Sequence, residues 1–320
     1  MNGPVSPLPR LILSLLPAAA VLGLFSSNTA CAADFDIRDE VEFRKAVAPD
    51  AKLERLATGM QFAEGPVWFK AGGGCLVLSD IPADELKQWT AKEGLTTFRK
   101  PSQNANGNTA DQLGRLVSCE HSGRRLSLLE KDGTLRTLVD RFEGKQFNSP
   151  NDAAVKSDGT VWFTDPDYGL SGKPHDYEGC FVFRFDPKTK ALIVLARDFD
   201  KPNGICFSPD ERKLFIADSG KPHHIRLFDV QTHGTVANSR VFCVVAPGLP
   251  DGIRCDAAGR LWSSAGDGVQ VFAPDGKLIG KILVPETPAN LCFGGADGKT
   301  LFITARKSLY SIPVLVKGAS

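Results

Sequence analysis

Beyond residue 34 the chain alternates short apolar runs with polar breaks, and few stretches carry the 3.6-residue period of an amphipathic helix. The runs are rich in Val, Ile, Leu, Phe and Trp and are bounded by Gly, Asp, Pro and Asn, the pattern of short strands joined by tight turns. Stacking the segments exposes a repeat. Asn151-Asp152-Ala-Ala-Val-Lys-Ser-Asp-Gly159-Thr-Val-Trp162-Phe-Thr-Asp165 aligns with Asn203-Gly204-Ile-Cys-Phe-Ser-Pro-Asp210-Glu-Arg-Lys-Leu-Phe215-Ile-Ala-Asp218, and with Asp251-Gly252-Ile-Arg-Cys-Asp-Ala-Ala-Gly259-Arg-Leu-Trp262. Weaker copies start at Glu64 (running to Val77 and Asp80), Asn106 (to Val117 and Glu120) and Asn290 (to Phe302).

The copies begin roughly 40 to 50 residues apart, the period of a propeller blade. Each reads as a strand starting at a polar residue, an Asp/Gly turn, a second strand and more variable outer strands. The pattern predicts an all-β, six-bladed β-propeller that fills the chain from about residue 50 to about 318 and leaves no room for a second domain. Closing such a ring pairs the two ends of the chain. Leu53 to Leu56 and Leu309 to Ile312 are the segments expected to share the last blade.

The first segment differs in kind. Arg10 precedes an apolar run from Leu11 to Phe25, and small residues from Thr29 to Ala33 follow. That order predicts a secretory signal peptide over residues 1–33, cleaved near Ala32 or Ala33, because the run is too short to span a bilayer. Lipid attachment at Cys31 is the alternative, and Asn28 stands where such signals carry an apolar residue. The mature propeller, residues 34–320, is expected to be periplasmic or secreted, with no membrane association after cleavage.

Charge narrows the partners. With 38 basic and 37 acidic residues the chain carries a formal +1, so no global field attracts nucleic acid or an anionic bilayer, and a small ligand suits it better. Seven cysteines remain beyond residue 33, an odd number, and none forms a C-x-x-C pair. A thiolate zinc centre is therefore not expected, and most of these thiols are expected to pack as small hydrophobes.

In a propeller the innermost strand of every blade begins beside the central channel, so residues at one phase of the repeat converge on one axis. Those positions are Glu64, Asn106, Asn151, Asn203, Asp251 and Asn290, all oxygen-bearing. Taken singly, Asn203-Gly204, Asp251-Gly252 and Asn106-Gly107 could equally be tight turns. Their common phase favours a ring. Carboxylates and carboxamides pointed at one another are costly to bury without a counter-charge. Glu64, Asn151, Asn203 and Asp251 thus form a candidate oxygen-only site for one divalent cation, Ca²⁺ first, with Mg²⁺, Mn²⁺ or Zn²⁺ as alternatives.

At this point a resemblance becomes specific. Phe62-Ala-Glu64-Gly65-Pro66-Val-Trp68, Ser149-Pro150-Asn151-Asp152, Lys201-Pro202-Asn203-Gly204-Ile205, Leu249-Pro250-Asp251-Gly252-Ile253 and Phe163-Thr-Asp165-Pro166-Asp-Tyr168-Gly169 are similar to segments of the gluconolactonase, senescence marker protein (regucalcin) and luciferin-regenerating enzyme family. So are Asn104-Ala-Asn106-Gly-Asn108 and Gly114-Arg-Leu-Val-Ser-Cys-Glu120-His121. The resemblance covers nearly all of residues 34–320. It implies a six-bladed propeller whose metal is held by a Glu, two Asn and an Asp, falling on Glu64, Asn151, Asn203 and Asp251. It also implies hydrolysis of a small lactone, most simply a sugar lactone. A phosphotriesterase-like hydrolase on the same site and a non-catalytic, calcium-binding propeller are the competing readings.

From the ligand set, a cation polarising the lactone carbonyl and Asp251 acting as general base form a self-consistent mechanism. Asp152 and Asp165 are the rivals for the base, or else orient Asn151 from behind. Asn106, Asn108 and His121 are expected to meet substrate hydroxyls. His223-His224 is read as a surface turn. Trp68, Trp162 and Trp262 fall within strand repeats and are read as blade packing. The loop from Pro166 to Cys180 is long for a blade connection and is a candidate cover for the channel mouth.

Overall fold

The computed structural model describes residues 30–319; most of the predicted export signal lies outside the described residues. Among the described residues six antiparallel sheets of four or five strands are arranged in sequence order, with a two-stranded ribbon, Arg141–Phe142 and Lys145–Gln146, between the second and third, and each inner strand starts within a few residues of one of the six aligned polar positions. Blade 1 comprises Ala63–Phe69, Cys75–Asp80, Glu85–Thr90 and Gly94–Arg99, and blade 2 comprises Ala105–Ala110, Leu116–Glu120, Arg125–Leu129 and Leu135–Val139. Blade 3 takes Ala153–Val155, Val161–Asp165, Cys180–Phe185 and Leu192–Phe199, and blade 4 takes Pro202–Phe207, Lys213–Asp218, His224–Val230 and Val236–Val244. Blade 5 is built from Ile253–Cys255, Leu261–Ser264, Gly268–Phe272 and Leu278–Leu283, with Pro288–Gly294, Thr300–Ala305 and Ser308–Pro313 starting blade 6. The chain is thus the six-bladed β-propeller that the repeat implied.

Lys52–Thr58 completes blade 6, with Thr58 opposite Ser308 and Arg55 opposite Tyr310. This is the closure expected from Leu53 to Leu56. The repeat did not show a second tie: Phe35–Ile37 pairs with Leu278–Leu283 on the outer edge of blade 5. A short helix, Glu40–Arg44, capped by Asp39, links the two ties and drops Phe43 into the core. The N-terminal segment therefore clasps blades 5 and 6 from outside. Ala30–Ala32, within the segment predicted to be removed, only adds an edge strand beyond Lys52–Thr58.

Between blades the core is aromatic. In three places an aromatic on the second strand of one blade meets an aromatic on the inner strand of the next: Trp162 edge-on to Phe207, Trp262 edge-on to Phe293, and Phe302 stacked on Trp68. The three tryptophans are thus packing residues, as expected. Seven free thiols are found among the described residues, six of them buried.

Three of the glycines that follow the ring residues are not turn residues. Gly107, Gly204 and Gly252 lie outside the left-handed region, yet a Cβ on each would sit 2.5 Å from Asn151 O, 2.3 Å from Asp251 O and 2.1 Å from the Asn290 carboxamide. Each is required because the next blade's backbone abuts it. The contacts are hydrogen-bonded: Gly107 N donates to Asn151 O (2.7 Å), Gly204 N to Asp251 O (3.1 Å) and Gly252 N to Ala289 O (2.8 Å). Gly252→Ala, which drives its Cβ into an Asn290 carboxamide held by Glu64 and Leu291 N and against the Asn290 Cα, is expected to cost about 2 to 3 kcal/mol of stability through overpacking, read as a lower urea midpoint at unchanged m-value.

Candidate active site

The mouth of the channel is assembled blade by blade. Thr164 Oγ1 donates to Asn203 O (2.8 Å), tying blade 3 to blade 4, and Asn290 Nδ2 donates to Glu64 Oε2 (2.9 Å), tying blade 6 to blade 1. With Ser79 Oγ on Asn106 O (2.6 Å) and the glycine contacts above, the circle of blade-to-blade bonds is complete. Three ring residues share a further device. Asp80 accepts the backbone N–H of Gln61 and Phe62, Asp165 those of Asn148 and Ser149, and Asp218 those of Asp200 and Lys201. In each case these are the residues three and two positions before Glu64, Asn151 or Asn203. A carboxylate at the end of the second strand thus fixes the approach to the ring side chain. In blade 5 the approach is tied instead by Gly266 N on Pro247 O (2.9 Å) and Asp251 N on Ser264 Oγ (3.2 Å). Asp218→Ala leaves two approach N–H groups without an acceptor, and a loss of about 1 to 3 kcal/mol in thermal or urea stability is expected.

Glu64 is 3 % exposed and Asn151 4 %. Burial and the neighbouring Asp251 carboxylate raise the Glu64 carboxyl well above its ordinary range, against hydrogen bonds from Gly65 N and Asn290. Asp251 is pushed up to about 7, mainly by burial with Asp152 adding to it, while a hydrogen bond from Asn203 opposes the rise. No Lys or Arg among the described residues lies within ion-pair reach of either carboxylate. Asn151's carboxamide makes no hydrogen bond to the described residues, so its oxygen is free toward the channel. Among those residues no three His, Cys, Asp or Glu side chains are grouped to hold a metal. A cation here would depend on two carboxylates and two amide oxygens, a hard donor set.

The rival carboxylates are committed elsewhere. Asp152, fully buried, pairs across the channel with Arg254 (3.2 Å) and accepts Ala153 N (2.9 Å). Asp165, which burial raises to about 7, takes the Tyr177 hydroxyl besides its two backbone donors. Both thus hold the backbone next to Asn151 through these contacts.

Asn106 and His121 meet, with Asn106 Nδ2 3.3 Å from His121 Nε2. Burial lowers His121 to about 4, so it is neutral near pH 7, and accepting at Nε2 leaves its proton on Nδ1. Asn108 departs from expectation. Its amide donates to Gly65 O (2.9 Å), Ser79 Oγ (2.8 Å) and Asn106 O (3.0 Å), while Ser118 Oγ donates to its oxygen (2.7 Å). The Asn108 amide N–H groups are spent on blades 1 and 2 and its oxygen already takes Ser118, so the side chain serves the joint between these blades. Alternation would put positions 106 and 108 on one face, but the register shifts between Ala105 and Asn108, so the simple alternation does not hold there.

The long loop does cover the mouth. Ser149 Oγ donates to Pro166 O (2.6 Å) and accepts Gly169 N (2.9 Å), and Asp176 accepts Gln146 N (3.2 Å). Gly169 packs against His121 so tightly that a Cβ would lie 2.7 Å from the His121 Cβ. Tyr168, 44 % exposed, stands at the opening beside Asn203, Ser219 and Asp251. His175 joins Lys201 on Asp167 rather than entering the mouth. Of the pair read as a surface turn, His223 is exposed on a left-handed turn, whereas His224 is half-buried and opens the strand His224–Val230 opposite Asp218. Sequence reasoning missed the clamp role of Asp80 and Asp218, although both were visible as the closing Asp of their repeats.

Comparison with known proteins agrees with this architecture. The family model described as SMP-30/Gluconolactonase/LRE-like region matches residues 62–307. A gluconolactonase of Zymomonas mobilis subsp. mobilis is 33% identical over 290 residues, covering 81% of this chain and 80% of the relative. A 6-deoxy-6-sulfogluconolactonase of Pseudomonas putida is 31% identical, covering 76% of this chain and 83% of the relative. Among solved structures, a gluconolactonase from Xanthomonas campestris superposes with a TM-score of 0.84 at 35% identity, covering 91% of this chain and 99% of that one. From propeller, ring and sequence together, the chain belongs to the SMP-30/gluconolactonase/LRE-like family.

Proposed function

We propose that this chain, a lactone hydrolase by family, opens a sugar-type lactone at the channel mouth, with one divalent cation held by Glu64, Asn151, Asn203 and Asp251. The observation that carries the reading is electrostatic. Two carboxylates, the buried Glu64 and the half-buried Asp251, repel one another at the mouth, and among the described residues no cation is paired with either. That arrangement is expensive unless a ligand supplies the charge. The free Asn151 oxygen adds a neutral donor beside them. When bound, the cation supplies positive charge to the lactone carbonyl.

Asp251 takes a proton from the attacking water as the new C–O bond forms. It returns that proton to the ring oxygen as the old C–O bond breaks, leaving an open hydroxy acid. Asn106, whose Nδ2 is spent on His121, offers its amide oxygen to a substrate hydroxyl, and neutral His121 offers its Nδ1–H. Tyr168 and Gly169 form the outer wall that limits water at the mouth. The identity of relatives named gluconolactonase and 6-deoxy-6-sulfogluconolactonase supports a six-carbon aldonic lactone as the substrate class. Rates on panels of aldonolactones and phosphotriesters test this reading, and preference for the phosphotriesters would reject it.

We further propose export, with residues 1–33 removed. N-terminal sequencing of the protein from its native host should begin near Ala33 or Asp34, and an intact Met1 in all of the protein would reject it.

A further inference from the structure

Below the ring the channel opens again. The cavity at that end measures about 580 Å³, and its wall takes the residue three positions beyond each ring residue: Val67, Thr109, Ala154, Cys206, Arg254 and Phe293. Three strand residues span about 10 Å, so this is the opposite mouth of the same channel, with the Asp152–Arg254 pair lying between it and the ring.

The polar groups on this wall are unevenly satisfied. The acids are taken: Asp111 by Arg115 Nε (2.7 Å), Glu211 by Lys156 (3.0 Å) and Ser157 N (2.7 Å), and Asp297 by Lys299 N (2.9 Å). The donors are not. Arg254 spends only Nη1, on Asp152 Oδ2 (3.2 Å) and Ile253 O (2.7 Å), and its Nε and Nη2 make no hydrogen bond to the described residues. Neither do Lys70 and Lys317. Trp68, on the same wall, keeps its indole N–H buried without an acceptor. Four donors on this wall, three of them cationic, are thus without a partner among the described residues, beside the exposed acceptors Gln112 Oε1 and Asp297 Oδ2, in a cavity whose wall includes Val67, Ile205, Phe207 and Phe293.

We propose that this second mouth binds a small organic carboxylate with an apolar body. The head accepts from the open edge of Arg254, a charge-assisted contact, and the body lies on the apolar wall. The volume is that of a small-molecule site. Nothing in the lactone chemistry at the other end is needed for this binding, so it stands or falls separately from the proposed hydrolysis.

Calorimetric titration of the whole chain in Mg²⁺ buffer, with hexanoate, hexan-1-ol and gluconate as probes, decides it. Hexanoate is expected to bind once per chain, and the neutral alcohol and the polar gluconate about tenfold or more weaker. Arg254→Gln should weaken hexanoate by about tenfold or more. Thr109→Trp, a wall residue outside the hydrolytic site, should fill the cavity and abolish binding while lactone hydrolysis stays within about twofold. No hexanoate binding at about 10 mM, equal or tighter binding of hexan-1-ol or gluconate, or unchanged affinity in Thr109→Trp would overturn the proposal. Should Arg254→Gln fail to fold, the Thr109→Trp result alone decides.

Discussion

Asp251→Asn is expected to leave a folded propeller that opens glucono-1,5-lactone about a thousandfold or more slowly, the size of effect seen when a general base is removed. The substitution keeps the shape of the side chain and an oxygen for a cation, and it relieves the repulsion that raises Glu64. Stability of the metal-free protein should therefore hold or rise while kcat falls. The backbone contacts that position residue 251, its N–H on Ser264 Oγ and its carbonyl under Gly204 N, do not involve the carboxylate. Asp152→Asn and Asp165→Asn make the discriminating comparison. Each loses a support, an Arg254 partner or a clamp, so each should lose stability in a urea titration and only part of its turnover. If Asp152→Asn or Asp165→Asn instead loses turnover as completely as Asp251→Asn without loss of stability, the base has been misassigned.

What local sequence carried was phase. The alternation of apolar and polar residues, the Asp-Gly turns and the recurrence of Asn or Asp at one place were enough for blade number, closure by Lys52–Thr58 and the six residues around the mouth. What it did not carry depends on pairs distant in the chain. The Asp152–Arg254 pair joins residues 102 apart, and no local period announces it. Asn108 seemed a substrate contact because it stands in an Asn-rich run, yet its carboxamide answers to Gly65, Ser79 and Ser118 on neighbouring strands. Gly107, Gly204 and Gly252 look like turn formers in the sequence and are contact points in the fold. The distinction is steric, and it is set by the adjacent blade. Phe35–Ile37 and the helix after it escape the repeat because they belong to no blade of their own and only fasten the outer edges.

Exhaustive chelation is expected to abolish lactone hydrolysis, and one equivalent of a divalent cation per chain to restore it. A structural measurement tests the same ring without any substrate. Folding raises the carboxyl of Asp251 to about 7 and pushes that of Glu64 well above its ordinary range, so from the unfolded value near 4 up to about 7 Asp251 holds more proton in the metal-free native state than in the unfolded chain, and Glu64 acts in the same direction. The contribution of these two groups to the stability of the metal-free protein is then largest below the unfolded value and falls as pH rises through the window, by roughly 3 kcal/mol for Asp251 alone once relaxation is allowed for. A bound cation removes the reason for the shift, because the ionised carboxylates become its ligands, and metal-loaded protein should gain stability over the same window. The melting curves of the two forms should therefore diverge from pH 5 to pH 8, with Ca²⁺, Mg²⁺ and Mn²⁺ ranked by the size of the gap. Asp251→Asn should flatten the metal-free slope and narrow the gap. Parallel curves for metal-free and metal-loaded protein, with full turnover after chelation, would show that the four oxygen donors do not serve a cation.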